Sequence, residues 1–150
     1  MAEQRTVFNP FDLRWGQRLL TANHEFWYRV TGGLVGGNFF GTPILLLTTA
    51  GRKTGRKRTT PLTYTRDGDH YIVIASNGGS AGHPQWWLNL RADPDAEVQV
   101  MNKNLRVVAR EAEGDERQQL WDSMSGRFPV YKGYERRTSR RIPVVVLSPS

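Results

Sequence analysis

The feature that most constrains the fold is a series of six short segments with the composition of β-strands, most of them joined by turns. In chain order they are residues 43–49, 58–66, 70–76, 96–101, 105–112 and 142–147. Asp67-Gly68 and Asn102-Lys103-Asn104 separate two pairs of them in the manner of hairpin turns. Because strands and helices do not alternate, a doubly wound parallel sheet is disfavoured. The pattern predicts a mainly β (α+β) protein, a six-stranded antiparallel barrel with flanking helices.

Apolar residues at helical spacing mark three further segments, residues 10–31, 84–92 and 115–128. Proline stands at the start of the first two, where a helix tolerates it. The chain of 150 residues has the length of one domain. We therefore expect a single domain, in which residues 1–38 form an N-terminal helical extension and residues 39–150 form the barrel.

Composition disfavours several classes of function. The chain contains no cysteine, which excludes disulfides, thiol catalysis and thiolate metal sites and fits a reducing compartment. Its histidines, His24, His70 and His83, show no metal-ligand spacing, so no metal site is expected. The N-terminus lacks a secretory pattern, and the longest apolar run, PILLL, is too short to span a bilayer. A cytoplasmic location is the resulting expectation.

Positive charge is concentrated in two places. The net charge is +7, whereas the basic segment (residues 52–58) carries five cations and the arginine segment (residues 136–141) carries four. Because these nine charges exceed the net charge, the rest of the chain is close to neutral. This distribution indicates local anion sites rather than a generally cationic protein.

The basic segment joins two predicted strands and therefore differs from the phosphate loop of nucleotide hydrolases, which leads into a helix. Gly51 and Gly55 allow backbone N–H groups to point at an anion, while arginine and lysine add charge. The residues alone leave open whether this segment meets nucleic acid, a phosphate-bearing cofactor, an acidic lipid or only solvent.

The glycine-rich loop (residues 77–83, NGGSAGH) follows a predicted strand, and its glycines allow a flat ligand to approach the backbone. Trp86 and Trp87 come next and diverge by about 100° on a helix. Either one faces the core and the other a cavity, or both pack. Tyr131 and Tyr134 share a face if their segment is helical, where they can contact a planar substrate, donate a proton or pack.

Four stretches together resemble one known family. They read LLLTTAGRKTGRKRTTPLTY, VIASNGGS, HPQWWLNLRADPDAEVQV and RRIPVVVL. In this order they are similar to the deazaflavin-dependent nitroreductase family of actinobacteria, over about residues 40–148. Members are reductases that use coenzyme F420, an 8-hydroxy-5-deazaflavin. The resemblance implies a split β-barrel of the FMN-binding type, with the deazaflavin in a groove and its phosphate and oligoglutamate tail on a cationic surface.

The resemblance also implies roles for individual residues. The phosphate and tail would be contacted by Arg52, Lys53, Thr54, Gly55 and Arg58. The ring and its side chain would be lined by Ser76, Asn77, Gly78, Pro84, Trp86, Trp87 and Asn89. The implied catalytic residues are Tyr64, Tyr131, Tyr134 and Ser76.

Two positions depart from the family pattern. The family often has lysine where Asn77 stands, so one charged contact to the cofactor is missing here. It often has tyrosine where Phe128 stands, so one phenol near the substrate is also missing. Cofactor use survives both changes, but the resemblance no longer implies activation of bicyclic nitroimidazole drugs.

The resemblance implies direct hydride transfer from the reduced deazaflavin to a small electron-poor acceptor, such as a quinone, an enone or a nitroaromatic compound. A quinone is favoured, because the amphipathic N-terminal helix is of a kind that touches membrane surfaces. That helix either docks on the barrel or makes a peripheral membrane contact on the cytoplasmic face.

Three alternatives remain after this step. One is the same barrel binding FMN, and another is a non-catalytic carrier that stores the deazaflavin. The third is a nucleic-acid-binding barrel, which leaves the glycine-rich loop without a purpose. We expect no nucleic-acid partner, and the sequence leaves the oligomeric state open.

Overall fold

The computed structural model describes residues 38–39 and 42–150, so the helix predicted over residues 10–31 lies outside the described residues. The strands are β1 (Asn38–Phe39), β2 (Thr42–Ala50), β3 (Lys57–Thr63), β4 (Thr65–Asp67), β5 (His70–Ile74), β6 (Asp95–Val100), β7 (Lys103–Glu111) and β8 (Val144–Pro149). The helices are α1 (Gln85–Ala92), α2 (Gly114–Arg127) and α3 (Val130–Arg137), and a 3-10 turn covers Asn77–Gly79.

The strands form one curled sheet in which all pairs are antiparallel. Their order is β1-β2-β6-β7-β8-β5-β4, and β3 also pairs with β2. Only Tyr64 separates β3 from β4, yet β3 pairs with β2 while β4 pairs with β5. The stretch from β3 to β4 therefore connects the two ends of the series.

The structure corrects the predicted number of strands. Six were expected, whereas the described residues form seven strands of three or more residues and the two-residue β1. The strand predicted over residues 58–66 is divided at Tyr64, where the chain leaves one pairing partner and joins another. Both halves have strand composition, so the sequence gives no sign of the break.

One face of the sheet carries the larger apolar cluster. Leu45 and Leu47 alternate along β2 and are fully buried in it. Helix α1 contributes Trp86, Trp87 and Leu90 to the same cluster. These large side chains fix α1 against the sheet, immediately after the glycine-rich loop.

A second apolar cluster holds α2 and α3. It contains Ile72 of β5 and Val146 of β8, against which Trp121 and Met124 of α2 and Tyr131 of α3 are buried. Because Tyr131 belongs to this cluster, its helix is fixed in position relative to the sheet.

The helices predicted over residues 84–92 and 115–128 are confirmed to within one residue at each end. None of the helices in the described part of the chain is both long enough and apolar enough to cross a bilayer.

Candidate functional site

The basic segment forms a compact turn between β2 and β3. Strand pairing continues to Ala50 and Lys57. Beyond that pair, the Gly51 N–H donates to the Arg56 carbonyl at 2.7 Å, and the Gly55 N–H donates to the Gly51 carbonyl at 2.7 Å. Gly55 has a φ of 72°, the left-handed region that glycine adopts without a side-chain penalty. The turn therefore has a defined shape from which exposed cations project.

Arg52 fastens this turn to helix α1. Its backbone N–H and its guanidinium donate to the Asn89 side-chain oxygen at 3.1 and 2.9 Å, and the guanidinium also donates to Gln85 at 2.8 Å. Asn89 is 4% exposed and donates in turn to the Thr49 hydroxyl at 3.2 Å. Asn89 thus positions the predicted tail-binding segment, and its contact with Arg52 brings two of the predicted site residues together.

The charge of the basic segment is largely uncompensated. Lys57 pairs with Glu97 at 3.3 Å, across exposed side chains. Arg52 has only neutral amide partners, and Lys53, Arg56 and Arg58 have no carboxylate partner among the described residues. Four cations close together therefore favour an anionic ligand.

The glycine-rich loop contains three consecutive residues in the left-handed region. Ser76 is right-handed, with φ −77° and ψ −31°, whereas Asn77, Gly78 and Gly79 have φ values of 48°, 64° and 82°. A right-handed residue followed by a left-handed one directs successive N–H groups to the same side, an arrangement that binds anionic or electron-rich oxygens. The Asn77 amide donates to the Gly82 carbonyl at 3.0 Å and closes the loop.

Gly79 brings this loop into direct contact with α3. A Cβ on Gly79 would lie 2.9 Å from the Tyr134 carbonyl oxygen and 3.1 Å from the Cβ of Arg137. Only glycine fits there, since the φ of 82° also disfavours a side chain. The contact places the predicted ring-binding loop beside the predicted catalytic helix.

Arg140 shows that not every cation of the arginine segment is available to an anion. Its guanidinium donates to the carbonyls of Ser80 at 3.0 Å, Ser76 at 2.8 Å and Ala75 at 3.3 Å. It also contacts the His83 Nδ1 at 3.0 Å. The guanidinium of Arg140 is therefore bound mainly to the protein's own backbone.

His83 takes a defined protonation state from this contact. Burial, and next the positive charge of Arg140, lower the pKa of His83 below its ordinary value of 6.5. An arginine can only donate, so the His83 Nδ1 accepts and the proton of the neutral ring is assigned to Nε2. The imidazole thus leaves an N–H donor at the end of the glycine-rich loop.

The two tryptophans of α1 both pack in the core. Trp86 is 7% and Trp87 is 5% exposed. Of the two interpretations left open by the sequence, packing therefore holds for both. Pro84, which precedes them, is also buried. Any contact of these three with a ligand is limited to the small part of each that remains exposed.

Tyr131 lies at the far end of β3 from the basic segment. It is 8% exposed and forms a side-chain hydrogen bond with Thr63. Burial raises the pKa of Tyr131 to about 12, against the smaller opposing effect of that bond. Its phenol therefore stays protonated near neutral pH and can hold or donate a hydrogen bond.

Tyr131 is in contact with Tyr134 and Phe128. Tyr134 contacts it edge to face, with ring centroids 5.9 Å apart, and Phe128 does so at 6.4 Å. Tyr64, at the break between β3 and β4, is half-buried and lies 5.6 Å from Tyr71. Burial, and next the neighbouring Tyr71, raise the pKa of Tyr64. The structure therefore brings Tyr131 and Tyr134 together in the second apolar cluster, whereas Tyr64 packs against the first.

The two halves of the candidate site lie near opposite ends of one strand. Arg58 and Tyr64 are six residues apart along and just beyond β3, which corresponds to about 20 Å at the rise of an extended chain. The contacts of Arg52 with α1 and of Gly79 with α3 link these ends through the glycine-rich loop. The arrangement suits an elongated ligand with an anionic end and a planar end.

Two grooves in the described part of the chain lie away from the candidate site. A groove of ≈ 280 Å³ between β2, β6 and β7 includes Lys57, Glu97 and Arg106, and one of ≈ 440 Å³ between α2 and α3 includes Trp121 and Lys132. Neither contains a residue predicted to bind the cofactor. Within the residues described, no group of three or more histidine, aspartate and glutamate side chains is placed to hold a metal ion.

Sequence reasoning missed Gln85, His83 and Arg140 as members of this region. A single exposed glutamine at the start of a helix, such as Gln85, carries no chemical signature. The position of Arg140 at the end of the arginine segment indicates charge but not direction.

Known proteins are similar in sequence to this chain over most of its length. The model of a family described as F420H(2)-dependent quinone reductase matches residues 20–149. An F420H(2)-dependent quinone reductase of Mycobacterium tuberculosis is 42% identical over 143 residues, which make up 90% of this chain and 96% of the relative. These matches confirm the resemblance that the sequence motifs indicated.

Two solved structures are similar to this chain in both fold and sequence. A structure of an F420-H2 dependent reductase is 40% identical, with a TM-score of 0.66, and covers 71% of this chain and 94% of its own. A second, described as a domain-swapped dimer, is 33% identical, with a TM-score of 0.67, and covers 89% and 99%.

Proposed function

The chain belongs to the family of F420H(2)-dependent quinone reductases, and we propose that it transfers a hydride from reduced coenzyme F420 to a quinone. The observation that carries this proposal is the uncompensated charge of Arg52, Lys53, Arg56 and Arg58 at one end of β3, with three tyrosines at the other end. A ligand that is anionic at one end and planar at the other matches this separation.

The residues present fit the cofactor. A phosphate and several carboxylates require cations that are not already paired with a carboxylate. Within the part of the chain described, Lys57 is the cation of the basic segment that has such a partner. Thr54 lies in the same turn and would add a hydroxyl, whereas the Gly55 N–H already donates to the Gly51 carbonyl and Gly55 would contribute the shape of the turn. We assign the phosphate and tail of the cofactor to this turn.

The glycine-rich loop would hold the ring side of the cofactor. Asn77 and Gly78 are exposed, so their backbone can approach a flat ligand, and Ser76 lies at the start of the turn. Asn89 acts differently from a direct ligand contact, because it is buried and holds Arg52.

When bound, the reduced deazaflavin supplies a hydride to an electron-poor acceptor. The chain's part is to orient the two reactants, exclude water and keep a proton available. The phenol of Tyr131 stays protonated, because its pKa is raised to about 12. Tyr134, which is less buried and in contact with it, is the better placed to give a hydrogen bond to the acceptor.

Several finer assignments are part of this proposal. The fold is assigned to the split β-barrels of the FMN-binding type, with the curled sheet as its core. The acceptor is a small-molecule quinone, the protein is cytoplasmic, and the N-terminal extension would make a peripheral membrane contact where a lipophilic quinone is met. No nucleic-acid partner is proposed.

The proposal is tested by titrating the protein with oxidised F420 and with FMN in parallel while following tryptophan fluorescence. We expect selective quenching by F420, followed by oxidation of reduced F420 when a quinone is added. Binding of FMN alone would replace the assignment with a flavin oxidoreductase. Binding of F420 without turnover on quinones, enones or nitroaromatics would indicate a carrier.

A charge-matched pair of variants tests the tail assignment. Replacing Lys53 and Arg58 by alanine should raise the Kd for F420 by about tenfold or more and flatten its salt dependence. The control replaces Lys103 and Arg136, which removes the same charge outside the basic segment, and should leave the Kd within about twofold. Equal effects of the two double variants would contradict the assignment.

A further inference from the structure

Arg140 is bound across the whole glycine-rich loop, and we propose that it is the positioning residue that gives this loop its ligand-binding shape. The inference rests on the proposed function, since it concerns the loop assigned to the cofactor ring. It departs from the expectation that the arginine segment contacts an anion directly.

The contacts are spread over the loop rather than concentrated at one point. The guanidinium donates to Ala75 and Ser76 where β5 ends, to Ser80 in the middle, and to His83 just before α1. These partners come 57 to 65 residues earlier in the chain. One planar group with five N–H donors can bind all four at once, whereas the single ammonium of a lysine cannot.

The loop needs such an external support. Asn77, a non-glycine residue with a φ of 48°, is followed by Gly78 and Gly79, which are also left-handed. Glycine adopts this region and others with similar ease, so the backbone preferences of the loop do not hold it in one shape. Its own bonds are short-range, from Gly79 to Ser76, from Ser80 to Asn77 and from the Asn77 amide to Gly82. Arg140 is the residue that ties the start of the turn to its end.

The same contact leaves a positive charge behind the loop. All four acceptors are neutral, and Arg140 has no carboxylate partner among the residues described. The N–H groups on the outer side of the turn therefore face a ligand with a half-buried cation behind them. A cation at Arg140 thus supplies charge to a loop in which Asn77 itself is neutral.

The test compares Arg140→Met with Arg140→Lys, and uses Arg141→Met as the control. Arg141 is the next residue, is exposed, and loses the same charge on substitution. For each protein, the Kd for oxidised F420 is measured well below the unfolding temperature. Amide hydrogen exchange at Gly78 and Gly79 and the ring-nitrogen shifts of His83 are followed by NMR without any ligand.

We expect Arg140→Met to raise the Kd for F420 by about tenfold or more, and to accelerate amide exchange in the loop but not in β5 or α1. The His83 ring nitrogens should shift toward a mixture of tautomers. Arg140→Lys should restore little of the F420 affinity or of the slow amide exchange, because lysine keeps the charge but lacks the forked N–H donors of the guanidinium. Arg141→Met should match the wild type.

Full rescue by Arg140→Lys, or an Arg140→Met variant with wild-type affinity and loop exchange, would overturn the inference. If Arg140→Met does not fold, the Arg140→Lys variant decides by the same two readouts. A wild-type protein that fails to bind F420 would remove the proposed function instead, and exchange in the loop would still decide the role of Arg140.

Discussion

The basic segment and the arginine segment have similar composition, but the surroundings of their cations differ. In the basic segment, Lys53, Arg56 and Arg58 are exposed and have no carboxylate partner among the described residues. In the arginine segment, the guanidinium of Arg140 is turned inward onto three backbone carbonyls and His83. A cluster of cations in a sequence therefore predicts charge, but it does not predict which cations remain available to a ligand.

The difference follows from what surrounds each segment. The basic segment is a tight hairpin turn closed by its own backbone hydrogen bonds and by the bond from the Arg52 N–H to Asn89, and the side chains of Lys53, Arg56 and Arg58 are exposed. The arginine segment passes a glycine-rich loop whose carbonyls need donors, and burial of those carbonyls without donors would cost free energy. Arg140 of the arginine segment provides hydrogen-bond donors to three of these carbonyls.

The largest expected effect comes from Gly79, where the glycine-rich loop packs on α3. Gly79→Ala would place a Cβ 2.9 Å from the Tyr134 carbonyl at a φ of 82°. We expect a loss of about 2–4 kcal/mol in the free energy of unfolding, from the clash and the conformation together. Urea denaturation measures this loss.

Gly78→Ala is the matched control, because Gly78 has a φ of 64° and open space where the added methyl group would lie. It should lose only the conformational part, about 1 kcal/mol. Equal losses for the two variants would mean that Gly79 is not in close contact with Tyr134 and Arg137 of α3.

A smaller effect is expected at the anchor of the basic segment. Asn89→Ala removes the buried acceptor of Arg52 and leaves the Thr49 hydroxyl without its donor. We expect the free energy of unfolding to fall by about 1–3 kcal/mol. Chemical denaturation, together with the Kd for F420, measures whether the turn is displaced as well.

Gln85→Ala provides the comparison for Asn89. Gln85 is exposed and accepts a single bond from the same guanidinium, so its loss should cost less than about 0.5 kcal/mol. If Gln85→Ala costs as much as Asn89→Ala, the guanidinium contact rather than the buried amide holds the turn.

The sequence predicts the local parts of this molecule well. The helices and most strands depend on residues close together in the chain, and so does the turn at Gly68, whose φ is 61°. The division of a strand at Tyr64 depends on which strands lie on either side, and no pattern of period two reports that. Burial of both Trp86 and Trp87 depends likewise on the sheet that curls around α1.

The candidate site divides in the same way. The residues of the basic segment and the glycine-rich loop are predicted from composition and from motifs resembling a known family. The inward role of Arg140 is not, since its partners lie 57 to 65 residues away. Only the folded arrangement shows that a residue chosen for its charge is used for its hydrogen-bonding geometry.

The smallest expected effect is a pH dependence that separates the two segments. The pKa of His83 is lowered by burial and then by Arg140, so the unfolded chain binds a proton at His83 more readily than the folded chain. Stability from this source is complete above the ordinary pKa of 6.5 and is lost as the pH falls below it toward the lowered value. The basic segment contains no histidine, the residue type whose charge changes near neutral pH.

Thermal unfolding between about pH 5 and pH 8 should therefore show a small loss of Tm on acidification. His83→Gln should remove it. As a control, Glu116→Gln should lower Tm by a similar amount at every pH in this range and leave the loss on acidification in place. The pKa of Glu116 is lowered from 4.5 by its hydrogen bond to Arg110, and the stability that this provides is complete above 4.5. A loss of Tm near pH 6 that persists in His83→Gln would show that a group other than His83 causes the pH dependence.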